Sequence, residues 1–169
     1  MLTQALAWTL KLFIAGTANA TSRWFVMSTR DLKALQRRFF EEINKGRAAG
    51  LAIIDEKYAA DLVFHMGTGV DVRGLKGFKQ IYGATFDAFP DNHTTLDDMA
   101  VEGDKAVVRY TTTGTHKGSF MGIPPTNKKV TFSTIEIDRF AEGKVVEAWE
   151  KYDTLGIMQQ LGVVPAPKK

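Results

Sequence analysis

Residues 129–153 read KVTFSTIEIDRFAEGKVVEAWEKYD, two runs rich in Val, Ile, Thr, Phe and Tyr joined across Ala141-Glu142-Gly143. Such runs, flanking a Gly-containing turn, predict a β-hairpin. The same period of two extends back over Thr94 to Val101 and Lys105 to His116, so Lys129 to Phe140 and Lys144 to Asp153 complete a meander. Ahead of Asp91 the periodicity is helical. Ser28 and Asp31 form a capping box, and Leu32, Leu35, Phe39 and Ile43 recur at helical spacing until Gly46. A shorter helical stretch runs from Ala48 to about Lys57 and leads through Tyr58-Ala-Ala-Asp61 into a short strand, Leu62 to His65, stopped by Gly67. From about Leu75, apolar Phe78, Ile81, Tyr82 and Phe86 predict a third helix that Pro90 ends. Asp153 and Thr154 can cap a last helix through Leu161, with Gly162 at its end and Pro165 beyond. Helices followed by a meander predict an α+β fold, with the helices on one face of a mostly antiparallel sheet.

The chain of 169 residues is long enough for one domain with a sizeable core. Residues 27–165 are expected to form that domain, residues 1–26 an N-terminal extension and 166–169 a tail. Leu2 to Ala15 are mostly apolar but interrupted by Lys11, and Ala18-Asn19-Ala20 has the look of a cleavage site. Met27 in turn opens a natural start, so a non-native extension, a signal peptide and an extra helix all stay open. The expected location is cytoplasmic, or exported if residues 1–20 are a signal. Hydrophobic residues at 44% and charged ones at 24% are ordinary globular values. A net charge of +3 with scattered Lys and Arg argues against a nucleic-acid partner, and the short N-terminal apolar run argues against a membrane span. No cysteine means no disulfide and no thiol nucleophile. His65, His93 and His116 share no ligand spacing, and no metal is expected.

Asp153 ends an apolar strand after Trp149. A carboxylate beside an indole in a dry pocket has its pKa raised by desolvation, which suits proton transfer near neutrality; a plain helix N-cap is the other reading. His116 ends a Thr-rich strand and could orient a substrate oxygen or relay a proton, or simply bond to loop backbone. His65 also ends a strand, at an expected pocket rim. Trp149 reads as pocket wall. Glu136, Asp138 and Glu147 flank the last hairpin, and paired carboxylates facing one pocket would suit two-step proton transfer. Val145, Glu147, Trp149 and Asp153 are expected to share a face; whether Glu136 and Asp138 join it turns on the length of the 141–143 loop. Met121, Ile123, Pro124 and Pro125 make a stiff apolar loop that could rim a pocket. Phe78, Tyr82, Phe86 and Phe89 read mainly as core, with one or two, Phe86 among them, reaching the cavity. Gly-rich nucleotide motifs are absent.

The run GTHKGSFMGIPPT at Gly114 to Thr126, then Trp149, Asp153 and QQLG at Gln159 to Gly162, resembles the SnoaL-like polyketide and ester cyclases of the NTF2-like superfamily. The resemblance covers about the last four fifths of the chain, with one departure: Asn127 stands where Gly usually follows Pro-Pro-Thr. It implies a strongly bent sheet forming a cone with an apolar pocket, N-terminal helices on the concave face, and a homodimer. It also implies cofactor-independent acid/base chemistry, an intramolecular aldol-type closure of an apolar carbonyl substrate, with Asp153 at the position of the family's general acid/base and His116 beside it. His65, Trp149, Glu136, Asp138, Met121 and Phe86 are the expected substrate-binding residues. The same scaffold hosts ligand-binding proteins without chemistry, ketosteroid-isomerase-like sites using a tyrosine from among Tyr58, Tyr82, Tyr110 and Tyr152, and epoxide-hydrolase-like sites. The last would need Arg109 or Arg139 facing inward with Asp153 and Asp138.

Overall fold

A computed structural model describes residues 27–165; the readings placed on residues 1–26 and 166–169 lie outside the described residues. Ser28 caps the first helix, α1 (Thr29–Ile43): its hydroxyl accepts from the Asp31 N–H, and the Asp31 carboxylate accepts in return from the Ser28 N–H. Buried Leu32, Phe39, Phe40 and Ile43 then follow on one face. Helix α2 (Arg47–Lys57) runs without a connector into β1 (Tyr58–His65), so the strand begins four residues earlier than expected. A three-residue strand, β2 (Asp71–Arg73), carries too little pattern to be read from sequence. Then come α3 (Leu75–Ala88), the meander β3 (His93–Glu102), β4 (Lys105–Thr115), β5 (Lys129–Ala141) and β6 (Lys144–Tyr152), and α4 (Thr154–Leu161).

The sheet order is β2-β1-β6-β5-β4-β3. Only the β1–β6 pair is parallel. The fold is α+β, four helices with a curved, unclosed six-stranded sheet of the NTF2-like type. Ala141 pairs with Lys144 across a two-residue turn, Glu142 and Gly143, whose φ angles are 51° and 81°. Positive φ at both central residues matches the right-handed strand twist. A bulge follows, since Arg139 faces Glu147 while Phe140 faces Val145. That arithmetic puts Ala148, Glu150 and Tyr152 on the concave face with Thr134, Glu136 and Asp138, and turns Glu147 and Trp149 outward.

The core lies between that concave face and α1 to α3. Phe78 is fully buried, its ring 4.6 Å from that of Tyr58 and 4.7 Å from those of Phe64 and Tyr82. A second cluster, Ala88, Phe89, Val130, Ile157 and Leu161, fastens α4 to the sheet. Gly162 ends that helix in the left-handed conformation, φ 79°. Asn127 adopts φ 58°, which explains how it replaces glycine in this turn.

The loop after β4 is tied to the end of α3 by Lys117 and Gly118 N–H groups donating to the Ala88 carbonyl at 2.8 and 3.1 Å. A Cβ on Gly118 would overlap the Asp87 carbonyl oxygen and stand 3.0 Å from the Ala88 Cα, both backbone atoms that cannot rotate away. Gly118→Ala should therefore lower stability by about 1–3 kcal/mol, read as a shift of the urea midpoint with unchanged m-value.

Candidate active site

A cavity of about 590 Å³ opens between α1, α3, the concave sheet face and the loop at Ser119 to Met121. Phe40, Phe64, Ile81, Phe86 and Phe132 supply apolar wall, and Phe86 and Met121 line it as expected. A larger, open groove of about 680 Å³ on the outside of α2 and α3 is lined by two ion pairs, Arg47 with Asp87 at 3.1 Å and Lys79 with Asp55 at 2.6 Å, and by Lys76.

Glu150 is the carboxyl that lines this cavity, directly opposite Glu136 on the neighbouring strand. It forms no hydrogen bond with any described residue. Burial, and secondarily the negative charge of Asp138, push its pKa up to about 7. A carboxyl in that range can take or give a proton at neutral pH without a large energetic penalty.

Behind it lies a sealed polar cluster. Lys57, at the last position of α2, is buried, and its Nζ stands 2.8 Å from Asp138 Oδ2 and 3.8 Å from Glu136 Oε1. It also donates to the Tyr58 hydroxyl at 3.0 Å and lies 4.1 Å from the centre of the Phe39 ring. Gln36 donates to Asp138 Oδ2 at 2.6 Å. The Tyr58 and Tyr110 hydroxyls donate to the two oxygens of Glu136 at 3.1 and 3.3 Å. Glu136 and Asp138 thus share one ammonium. Burial first, then the charge of Asp138, raise the Glu136 pKa well above the carboxylate range despite the opposing pull of Lys57. Among the described residues the buried Oδ1 of Asp138 has no hydrogen-bond partner.

The remaining candidates lie elsewhere. Asp153 is exposed, outside the cavity lining, and accepts from the Gly156 N–H at 2.8 Å as the N-cap of α4. The expected indole-and-carboxylate pair does not form, because Trp149 faces outward and stacks on His65 at 5.3 Å. His65 sits on that same outer face, between Asp71 at 2.8 Å and Glu147 at 3.1 Å, and these bonds, Glu147 first, raise its pKa. Arg139 completes the outer network by donating to Glu147 at 2.9 and 3.0 Å, and Arg109 pairs outside with Asp97. Neither arginine joins an inward trio with Asp138 and Asp153. His116 is buried, but under Phe89 and Phe120 and outside the cavity lining; its Nδ1 accepts from the Thr126 N–H at 3.3 Å. Glu136 and Asp138 do face inward, one layer behind the lining. Among the described residues no group of three His, Cys, Asp or Glu could hold a metal ion.

Glu150 was not singled out from the sequence, nor was Lys57. For Glu150 a signal existed: its alternation with Ala148 and Tyr152 places it opposite Glu136 once the turn is counted as two residues. For Lys57 none did, since a lysine closing a helix normally lies in water.

The SnoaL-like polyketide cyclase profile matches residues 34–161. The chain belongs to this family. No curated protein matches it. Among solved structures, AclR from Streptomyces galilaeus, named a candidate hydroxylase, is 31% identical, with a TM-score of 0.72 over 84% of this chain and 87% of its own. TsrD from Streptomyces laurentii is 27% identical, with a TM-score of 0.72 over 82% and 99%. IdmH from Streptomyces antibioticus, named a candidate polyketide cyclase, is 29% identical, with a TM-score of 0.65 over 77% and 97%.

Two stability measurements test the site. Lys57→Met leaves Asp138 buried without its cation and should cost about 3–5 kcal/mol in urea denaturation, with much of that loss shared in a double variant carrying Asp138→Asn. Glu150 has a folded pKa of about 7 against an ordinary 4.5, so the unfolded chain releases its proton first as pH rises. Its contribution to stability is complete below about pH 4.5 and lost as pH climbs through 7. Glu150→Gln should flatten that decline by about 3 kcal/mol.

Proposed function

We propose that the chain is an enzyme of the ester-cyclase type that moves a proton within an apolar carbonyl substrate, with Glu150 as its acid and base. One observation carries this reading: a partnerless carboxyl, poised near neutral pH, at the wall of a mostly apolar cavity. The family membership and the neighbours named as cyclases support the substrate class.

Ionised Glu150 takes a proton from a carbon beside the substrate carbonyl. The electron pair of the broken C–H bond passes into the enolate, whose carbon attacks a second carbonyl of the same molecule and forms the C–C bond of the ring. The resulting alkoxide takes back the proton held on Glu150, so the enzyme ends as it began. The wall of Phe40, Phe64 and Phe86 excludes water that would otherwise quench the enolate. The sealed cluster of Lys57, Asp138 and Glu136 keeps its own protons occupied and leaves Glu150 as the group free to exchange. Asp153 serves in this reading as the cap of α4. The outer sheet face, where Val107 and Ile135 are exposed, is the surface on which we expect the homodimer to form.

Deuterium uptake at the acidic CH₂ positions of 2-tetralone in D₂O, followed by proton NMR, tests the base directly. The protein should accelerate exchange, with the rate rising through about pH 7 as Glu150 ionises. Glu150→Gln should lower it by about 10²–10⁴-fold, whereas Asp153→Asn should leave it nearly unchanged. Exchange that survives Glu150→Gln, or that collapses in Asp153→Asn, would reject Glu150 as the base.

A further inference from the structure

Proton abstraction by Glu150 moves its negative charge onto a substrate oxygen, and in an apolar cavity that oxygen needs a donor. Of the polar groups lining the cavity, Thr68 and Ser119 are exposed to water, and most of the rest are committed. Tyr110 donates to Glu136. The hydroxyls of Thr94 and Thr112 bond to each other at 3.0 Å, Thr85 to the Ile81 carbonyl at 3.0 Å, and the Asn92 amide to the Phe89 carbonyl at 2.9 Å. Thr134 Oγ1 has no partner but is sealed from contact. Tyr82, on α3 across from the sheet, lines the cavity, and among the described residues its hydroxyl has only the Tyr110 hydroxyl as a hydrogen-bonding neighbour.

The geometry points to Tyr82 as a catalytic residue that donates its phenolic proton to the substrate oxygen on which negative charge develops, a binding subsite for a ketone or ester carbonyl. This rests on the proposed acid/base reading and adds the electrophilic half of the site. The Tyr82 ring is fixed by Phe78, its centroid 4.7 Å away, so the donor is aimed in advance. Burial, then the charges of Glu136 and Glu150, raise its pKa well above 10, while nearby Tyr110 pulls weakly the other way. The group therefore stays a neutral donor throughout the working pH range. Tyr152 also lines the cavity, but burial lifts its phenol far less, so Tyr82 is the tyrosine in the drier surroundings. A donor in dry surroundings gains most from meeting an oxyanion.

Two probes of matched shape, 2-acetylnaphthalene and 2-isopropylnaphthalene, separate hydrogen bonding from apolar burial. By competition NMR the protein should bind the ketone about fivefold more tightly than the hydrocarbon, the worth of one neutral hydrogen bond. Tyr82→Phe, which removes one oxygen and keeps the ring, should bring that ratio to about one. In protein labelled with 3-fluorotyrosine, the ¹⁹F resonance lost in Tyr82→Phe should shift with the ketone and stay still with the hydrocarbon. A ratio unchanged by Tyr82→Phe, or a Tyr82 resonance indifferent to the ketone, overturns the inference. Either result leaves the 2-tetralone exchange, which depends on Glu150, to stand or fall separately. If neither probe enters the cavity of the wild-type protein while 2-tetralone exchange proceeds through Glu150, the Tyr82 subsite falls and the acid/base reading stands.

Discussion

Lys57 is the pivot of the interior. An ammonium taken wholly out of water is costly, and it persists only because Asp138, Glu136, the Tyr58 hydroxyl and an aromatic face surround it. The requirement runs both ways, since Asp138 without Lys57 would be an unpaired buried anion. The cluster ties the end of α2, the start of β1 and the middle of β5 into one unit. The positive charge of Lys57 opposes the rise of the Glu136 pKa, while the Asp138 that it pairs with helps to raise that of Glu150, the carboxyl that meets the cavity.

The fold was legible from local signals. The Ser28 and Asp31 capping box, the helical spacing of Phe78, Tyr82 and Phe86, and the alternation through β3 to β6 each arise within a few residues, and the structure reproduces them with small changes at the ends. The start of β1 was less legible because Tyr58-Ala-Ala-Asp61 has neither a strong period nor a breaker, and the pairing with β6 fixes it from a distance. The departure at Asn127 leaves the turn intact, because asparagine takes the left-handed conformation there.

The site was harder because it depends on facing. Side chains of a strand change face at every residue, so an error of one moves Trp149 from wall to outer surface and Glu150 from surface to cavity. The bulge between Arg139 and Phe140 adds such a step, and nothing in the sequence marks it. Asp153 drew attention through its motif, yet the backbone leaves the sheet at that point and spends the carboxylate on the Gly156 N–H. His65 and Glu147, read as rim and pocket candidates, instead join Asp71, Arg139 and Trp149 in a charged and aromatic cluster on the opposite side of the sheet.

The tight reversal at Glu142 and Gly143 constrains how this chain can vary in length. A residue added there must either slide β6 along β5 or be absorbed as another bulge, and sliding by one position would carry Glu150 to the convex surface. The stretch between β4 and β5 carries no such penalty, because its thirteen residues, 116–128, join strands whose register is set by the pairs from Lys105 with Arg139 to Thr115 with Lys129. Changes of length that keep Glu150 facing inward are therefore tolerated more readily at the rim than in the hairpin that sets its register.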